Sequence, residues 1–564
     1  MRVIRVHPMR RLSRLLLGVV VSVTLLATSA PARALEANGF TYTVDFRAVG
    51  DPATVTGCVG TCPTTLVIPA TLGGMSVTTI GARAFQYKGL ISVTIPPSVT
   101  TIQGFAFTGN QLTNMTLPSS LKVISKNAFD GNQLTSVTIP DGVTAVAGFG
   151  NNQLTSVTIP NSVTSIGDLA FANNRLTSVG IPDSVASIGF DAFANNRLTS
   201  VGIPDSVVSI GPSAFSNNQL TNVLIGNGVS EIGPAAFANN RLTSVRIPEG
   251  ATYNGNGRIG DSAFANNQLT NVSIGNRFAR IGDSAFVGNQ ITSLSLGSAM
   301  LSIGNMAFYA NRLTDVTFPA GLRSIGRLAF ANNQLANVVI PNGVTSILDH
   351  TFYFNALTSV TIGNSVSEIG YSAFAYNNLT SVTIPSSVKV IESGAFHMRS
   401  LITIIMLGDA PSPAYGHVFA ISRPPYGDEL DLSLKRVWRK PGARNFYSRF
   451  GGVQVATIGD RAIATTKPTV NGVAAIGTTL TAAEGTWTGY PMPAIRYQWY
   501  ACTTAVTAAR STVPSTCKKI TGATRSTFKL TSAQRGKHVA VLVTGTSLRT
   551  TATTWLSKTT VKIR

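Results

Sequence analysis

Apolar positions recur along this chain with a period of 22 residues. Residues 166–187 read IGDLAFANNRLTSVGIPDSVAS, and the pattern returns from Ile188 and, more loosely, from Ile210. One Phe per unit marks the register: Phe85, Phe107, Phe129, Phe149, Phe171, Phe193, Phe215, Phe237, Phe264, Phe286, Phe308, Phe330, Phe352, Phe374 and Phe396, 15 units in all. Two steps break the period. Phe129 to Phe149 is 20 residues, and Phe237 to Phe264 is 27, with the extra residues around Tyr253-Asn254-Gly255-Asn256-Gly257. A unit of this length cannot bury its apolar face alone, so it predicts a solenoid in which neighbours stack.

Within a unit, Leu134-x-x-Val137-x-Ile139 has the spacing of a leucine-rich repeat strand. Side chains alternate along a strand, so Leu, Val and Ile face inward and the intervening residues face out. A Pro or Gly then ends the strand, as at Pro140, Pro160 and Gly226. The following V-x-x-I-G, as in residues 163–167, predicts a second short apolar segment on the opposite face. The Ala-Phe pair fills the core at the return bend, and Asn173-Asn174 makes the turn into the next strand, because Asn tolerates a left-handed backbone. At about 4.8 Å per coil, 15 coils would span on the order of 70 Å.

The pattern IGxxAFxxNxLTSVxIPxSV resembles the BspA-type leucine-rich repeats of bacterial surface and secreted proteins. The resemblance covers roughly residues 50–460, with a period one residue shorter than is usual, at the turn before the Leu. It implies binding or adhesion outside the cell, to an extracellular protein or glycan, without naming the ligand, because the repeat is a scaffold and function sits on chosen surface positions.

The flanks differ. Residues 1–34 carry six Arg and no acid, then an apolar run from Leu15 to about Ala27 and the small-residue site Ala32-Arg33-Ala34. This reads as a secretory signal peptide cut after Ala34. The run is short of the roughly 20 residues of a membrane anchor, so no transmembrane segment is expected after cleavage. Arg10-Arg11 leaves the twin-arginine route open beside the general one. Residues 35–79 read as an N-terminal cap with a strand near Phe40, shielding the first open sheet edge. The array spans 80–407. Residues 408–463, containing the strand-like LDLSLKRVW and the segment around Phe446, look like the closing cap of this repeat family, and 464–467 form a linker.

Residues 468–564 read as an all-β module of short strands at regular spacing. Trp499, in Tyr497-Gln498-Trp499-Tyr500, matches the buried Trp of a sandwich strand. GTTLTAAEGTW and ITGATRSTFKLTSAQRGK resemble immunoglobulin-like modules of secreted bacterial proteins. The expected fold is therefore mostly β: a leucine-rich repeat solenoid followed by an immunoglobulin-like β-sandwich.

Composition changes this picture in two places. The net charge of +21 is uneven: residues 35–400 hold 17 basic and 17 acidic side chains, whereas 401–564 hold 21 and 6. From Lys467 to the end there are 13 Lys and Arg against the single acid Glu484. That predicts attraction to anionic cell-wall polymers, weakened by salt. Nucleic acid is not expected as a partner outside the cell, without a recognition motif. The four cysteines fall in two pairs, Cys58/Cys62 and Cys502/Cys517, and an exported chain favours local disulfides. A zinc site would need further ligands nearby.

Catalysis finds little support. Asp428, Glu429 and Asp431 cluster as paired acids do in glycosidases, but they read as a solvated turn. His350 and His397 sit at variable repeat positions and read as surface substitutions. No phosphate loop, H-E-x-x-H, G-x-S-x-G or Ca²⁺ loop occurs, so no cofactor or metal is expected. The outward strand position is more informative: Thr94, Thr116, Thr138, Thr158, Gly180, Gly202, Leu224, Arg246, Ser273, Ser295, Thr317, Val339, Thr361, Thr383 and Ile405. Thr dominates the ends. Leu224 and Arg246 beside the Tyr253 insertion have hot-spot composition and form the candidate binding patch. The Ser-x-Thr rows also suggest ice binding, which the interruption in the middle argues against. A structural spacer without a ligand is the remaining alternative.

Overall fold

A computed structural model of the chain describes residues 34–249, 257–411, 436–439, 443–444, 449–450, 453–457, 463–464, 466–488, 494–546 and 552–564. Each coil of the array carries a short strand, and most carry a longer one on the other side. In the longer strand Ser200–Ile203, Ser200 and Gly202 are exposed while Val201 and Ile203 are buried, as period-two alternation requires. In the short strand Ser187–Ile188 the Ile alone enters the core.

The continuous sheet runs through the short strands. They pair in parallel and in register, Ile166 to Ile188, Ile188 to Ile210 and Ile210 to Ile232, within a 16-stranded sheet that ends at Ser324–Ile325. A three-stranded sheet continues the series at Ser346–Ile347, Glu368–Ile369 and Val390–Ile391. The longer strands, which carry the leucine-rich signature, pair in smaller groups. In the middle of the array, from Ile166 to Ile325, a Gly follows each short-strand Ile and allows close approach there. A Cβ on Gly189 would lie 2.6 Å from the Asp168 nitrogen and the Gly167 carbonyl carbon, so only glycine lets adjacent backbones come this close. The insertion leaves this sheet unbroken: Gly257–Ile259 pairs with Glu231–Ile232 on one side and Phe278–Ile281 on the other.

The core is a column of rings. From Phe85 to Phe396 each repeat Phe stacks on the next, with centroids 5.2 to 5.9 Å apart and planes within 18°. Spacings above the strand separation of about 4.8 Å show an offset stack, the arrangement aromatic quadrupoles favour.

The two asparagines of the turn do different things. Asn173 is exposed with φ 54°, the left-handed residue expected. Asn174 is buried, and its amide donates to the carbonyls of Phe149, Phe171 and Ala172 while its oxygen accepts the Leu154 N–H. The same set recurs at Asn196, Asn218, Asn240 and Asn267. This ladder satisfies turn groups that the strands cannot reach, and it ties each coil to the one before it.

At the start, Ala53–Cys58 pairs parallel with Met75–Ile80, and Phe40–Val44 and Leu35–Ala37 continue the sheet antiparallel. Cys58 and Cys62 are joined by a disulfide. Beyond the last Phe, Thr403–Met406 pairs with Arg436–Arg439, which pairs with Val453–Thr457. The sheet therefore outlasts the sequence period, which is lost at Leu407. The C-terminal part is a β-sandwich. One antiparallel sheet holds Thr469–Asn471, Thr479–Ala483 and Thr527–Lys529; the other holds Cys517–Lys519, Ala494–Cys502, His538–Thr546 and Thr553–Leu556. Trp499 is fully buried between them, stacked on Phe528, with its indole N–H on the Arg525 carbonyl. The Cys502–Cys517 disulfide links opposed residues of one sheet.

A paired substitution tests the ladder. Asn217→Gly, at an exposed left-handed position (φ 54°), should change unfolding free energy by less than about 0.5 kcal/mol. Asn218→Gly strands several buried backbone groups and should cost at least about 2 kcal/mol. Urea unfolding followed by circular dichroism measures both, and equal effects would refute the division of labour.

Candidate binding surfaces

The longer-strand face carries Leu224 and Arg246, two of the three residues of the patch expected from sequence. Leu224 lies in Asn222–Ile225 between buried Val223 and Ile225, so alternation turns it outward, and it is 70% exposed. Its partner across the strand pair is Gly202. A Cβ on Gly202 or Gly180 would meet nothing within 4 Å, so these glycines are not required by packing and leave open surface beside Leu224. Arg246 holds the same place in Ser244–Ile247, one coil further on, and is exposed. The structure thus brings Leu224 and Arg246 onto consecutive coils of one face. Tyr253 lies outside the described residues, as do Asp428, Glu429 and Asp431. Val339, 61% exposed, is a second apolar departure on the same face.

The short-strand face holds a groove of about 420 Å³ over residues 258–348. Arg258 and Arg280 stand opposite each other in adjacent parallel strands along it. Asp261 and Asp283 line it too, but each has an oxygen engaged by the next coil: Asp261 accepts the Asp283 N–H at 3.0 Å, and Asp283 accepts the Asn305 N–H at 2.7 Å. These side chains continue the coil-to-coil stapling on the outside. Burial raises the pKa of Asp191, and it also raises that of Asp130, where a hydrogen bond from Asn151 opposes it.

A third surface lies along the edge between the short strands and the asparagine ladder. His350 packs edge-on against Tyr353 and Tyr371, and Tyr376 packs edge-on against Tyr353 and His397. Phe354 is tilted against Tyr353 and Tyr376. His350 and His397 therefore belong to an aromatic cluster, and are not isolated surface substitutions. Burial lowers the pKa of His350, and neighbouring Asp349 opposes the shift. Sequence reasoning missed this cluster, although the signal is visible: the two residues after the core Phe change from Ala-Asn to Tyr353-Phe354.

The sandwich is cationic in structure as well as in sequence. Lys518, Lys519, Arg525, Lys529, Arg535, Lys537, Lys558, Lys562 and Arg564 are all exposed. Its one acid, Glu484, accepts a hydrogen bond from the Tyr497 hydroxyl at 2.5 Å. Burial, that bond and the carboxylate charge push the Tyr497 pKa up to about 12. Among the described residues, the ion pairs are Lys126–Asp168 and Arg327–Asp349, both in the array. No cluster of three potential metal ligands occurs among the described residues, and no helix there is long and apolar enough to cross a membrane.

Comparison with known families matches the array to the BspA type leucine rich repeat region (six copies), over residues 78–148, 145–258, 253–355 and 323–410. No curated protein matches the chain. Among solved structures, a leucine-rich repeat protein from Bacteroides ovatus is 18% identical, covering 75% of this chain and 99% of its own, with TM-score 0.41. The pneumococcal vaccine antigen PcpA is 18% identical, covering 73% and 94%, with TM-score 0.40. A leucine rich cell surface protein from Faecalibacterium prausnitzii is 20% identical, covering 77% and 97%, with TM-score 0.31.

The His350 shift has a measurable consequence. Because its folded pKa is lowered, the unfolded chain takes up the proton first as pH falls. Its contribution to stability is full above about pH 6.5 and declines below it. Asp130 and Asp191, whose pKa values burial raises, are present in both proteins and cancel from the comparison below. Between about pH 7.5 and about pH 5.5, His350→Gln should therefore lose less stability than the unsubstituted chain. Thermal unfolding at the two pH values checks this, and an unchanged difference would exclude the assignment.

Proposed function

The chain belongs to the BspA type leucine-rich repeat family, and from that premise we propose that it is an exported binding protein of the cell exterior. In this reading the solenoid recognises an extracellular protein or glycan. The C-terminal module, immunoglobulin-like in its sequence and built as a sandwich around Trp499, holds anionic cell-wall polymer. The array contributes no net charge in residues 35–400, so recognition there rests on shape and a few side chains rather than on a field. The observation that carries the reading is the Leu224–Arg246 step. A strand face kept mostly small and polar exposes a large apolar side chain at 70%, beside bare glycine and a guanidinium. Its position outside the core, next to an Arg, supports a contact role. For the module, the exposed cations, none of them in an ion pair among the described residues, support polyanion attraction.

Two experiments test the halves separately. Replacing Leu224, Arg246 and Tyr253 by Ser should abolish capture of the partner recovered by the array, with the melting temperature unchanged; retained capture would remove the patch. Retention on purified cell walls should fall steeply as salt rises from about 0.01 M to about 1 M, where the screening length shrinks from about 30 Å to about 3 Å. It should also vanish on deletion of 468–564. Salt-independent retention would exclude the electrostatic role, and binding by the module alone would leave the array as a spacer.

A further inference from the structure

The aromatic edge is not required by the fold. The two residues after each core Phe read Ala-Asn after Phe171, Phe193, Phe237, Phe264 and Phe330, and those coils stack without difficulty. After Phe352 they become Tyr353-Phe354, after Phe374 the second becomes Tyr376, and after Phe396 the first becomes His397. His350 and Tyr371 supply further rings from the preceding bends. The result is one ribbon over three coils: Tyr371 to His350 at 5.1 Å, His350 to Tyr353 at 5.3 Å, Tyr353 to Tyr376 at 5.3 Å and Tyr376 to His397 at 5.3 Å, each pair at 67° to 75°. Phe354 lies 6.3 Å from both Tyr353 and Tyr376. Phe354 is 57% exposed and Tyr376 43%. Each ring is braced by a neighbour's edge, so the ribbon is ordered before anything binds and little side-chain entropy remains to be lost.

The occupant follows from size and charge. Six rings of about 150–250 Å² each, two of them exposed by about half and four half-buried, offer roughly 500 Å². A stable protein partner needs about 800 Å² per side, so neither a second copy of this chain nor another protein is held by this ribbon alone. The ribbon carries no formal charge of its own, and the adjacent Asp349 is paired with Arg327 at 3.6 Å, which gives a polyanion nothing to grip. What it offers is two exposed rings on successive coils, Phe354 and Tyr376, with centroids 6.3 Å apart and planes at 45°, flanked by phenol and imidazole groups. A pyranose unit has a similar length, one C–H face that packs on an aromatic ring, and hydroxyls at its rim.

We propose that the ribbon Phe354–Tyr376, with His350, Tyr353, Tyr371 and His397, binds a neutral glycan chain by stacking successive sugar rings along the coil direction. This site is separate from the Leu224–Arg246 face and does not depend on it.

Affinity electrophoresis of the purified chain through gels containing hydroxyethylcellulose, glucomannan or glycol chitin tests this directly, with polygalacturonate as the anionic control. At least one neutral polymer should retard the chain, and retardation should persist at about 1 M salt, where charge attraction is screened. Phe354→Ala and Tyr376→Ala should each weaken it roughly tenfold, as loss of an aromatic packing surface does. Tyr376→Phe should retain most of it, and Leu224→Ser should leave it unchanged, with circular dichroism confirming that every variant is folded. No retardation by any neutral polymer would overturn the proposal, and so would retardation that survives the double Ala variant. Neither result would bear on partner capture by Leu224 and Arg246, which the triple Ser variant measures.

Discussion

Every coil depends on its neighbour for two things it cannot supply itself. Its core Phe needs a ring face above and below, and its tight turn leaves buried carbonyls and an N–H that only the next coil's Asn reaches. Asn174 meets both sides of this need, donating to Phe149 and Phe171 and accepting from Leu154. An unpaired buried amide costs about 1–3 kcal/mol, so this bonding pattern fixes the coil register more tightly than apolar contact could. The short-strand Ile positions then fall in line, and the glycines behind them allow the backbones to close. Stability in such an array is a sum of coil and neighbour terms. A two-residue deletion or a five-residue insertion is tolerated when it leaves those contacts intact, as the Gly257–Ile259 strand does.

The same constraint frees the outside. Inward positions are dictated coil by coil, but the outward position of most longer strands touches little; Ile405 in the last of them, expected to face out, is buried. Elsewhere the outward position can drift from Thr to Gly, Leu or Arg without disturbing the stack. The residues proposed to bind are therefore outward departures from the repeat: Leu224 and Arg246 on one face, and the rings from His350 to His397 on an edge. The charge is partitioned likewise. The array is neutral and the sandwich strongly basic, so the proposed long-range attraction and the proposed close recognition fall in different parts of the chain.

The architecture was legible because period and alternation are one-dimensional signals. A spacing of 22 residues, an inward Leu-Val-Ile set and one Phe per unit are enough to specify coils, inward faces and stacking order. The disulfide pairs were legible for a similar reason, since each lies close in sequence at the edge of an element. The Leu224–Arg246 pairing was readable as one position in consecutive units. The aromatic ribbon was only partly so, because His350 and Tyr371 precede the core Phe while the other members follow it, and only the bend geometry carries them to the same edge as Tyr353.

The sequence by itself determined the coil, its period, its inward residues and the basic C-terminal module, all of which depend on which residue types follow one another. The tertiary structure decided what depends on a neighbour one period away. It separated Asn173, a surface turn residue, from Asn174, a buried tie, although the letters are identical. It placed the continuous sheet on the short strands, where glycine lets backbones touch. It also held Leu169 and His350 at φ of 57° and 56°, a region that costs a residue with a Cβ about 1–2 kcal/mol. Their N–H groups bond across to Phe190 and Tyr371 of the next coil at 2.8 and 2.9 Å. That strain is invisible in a single repeat, because the bond that sustains it exists only once the next coil is in place.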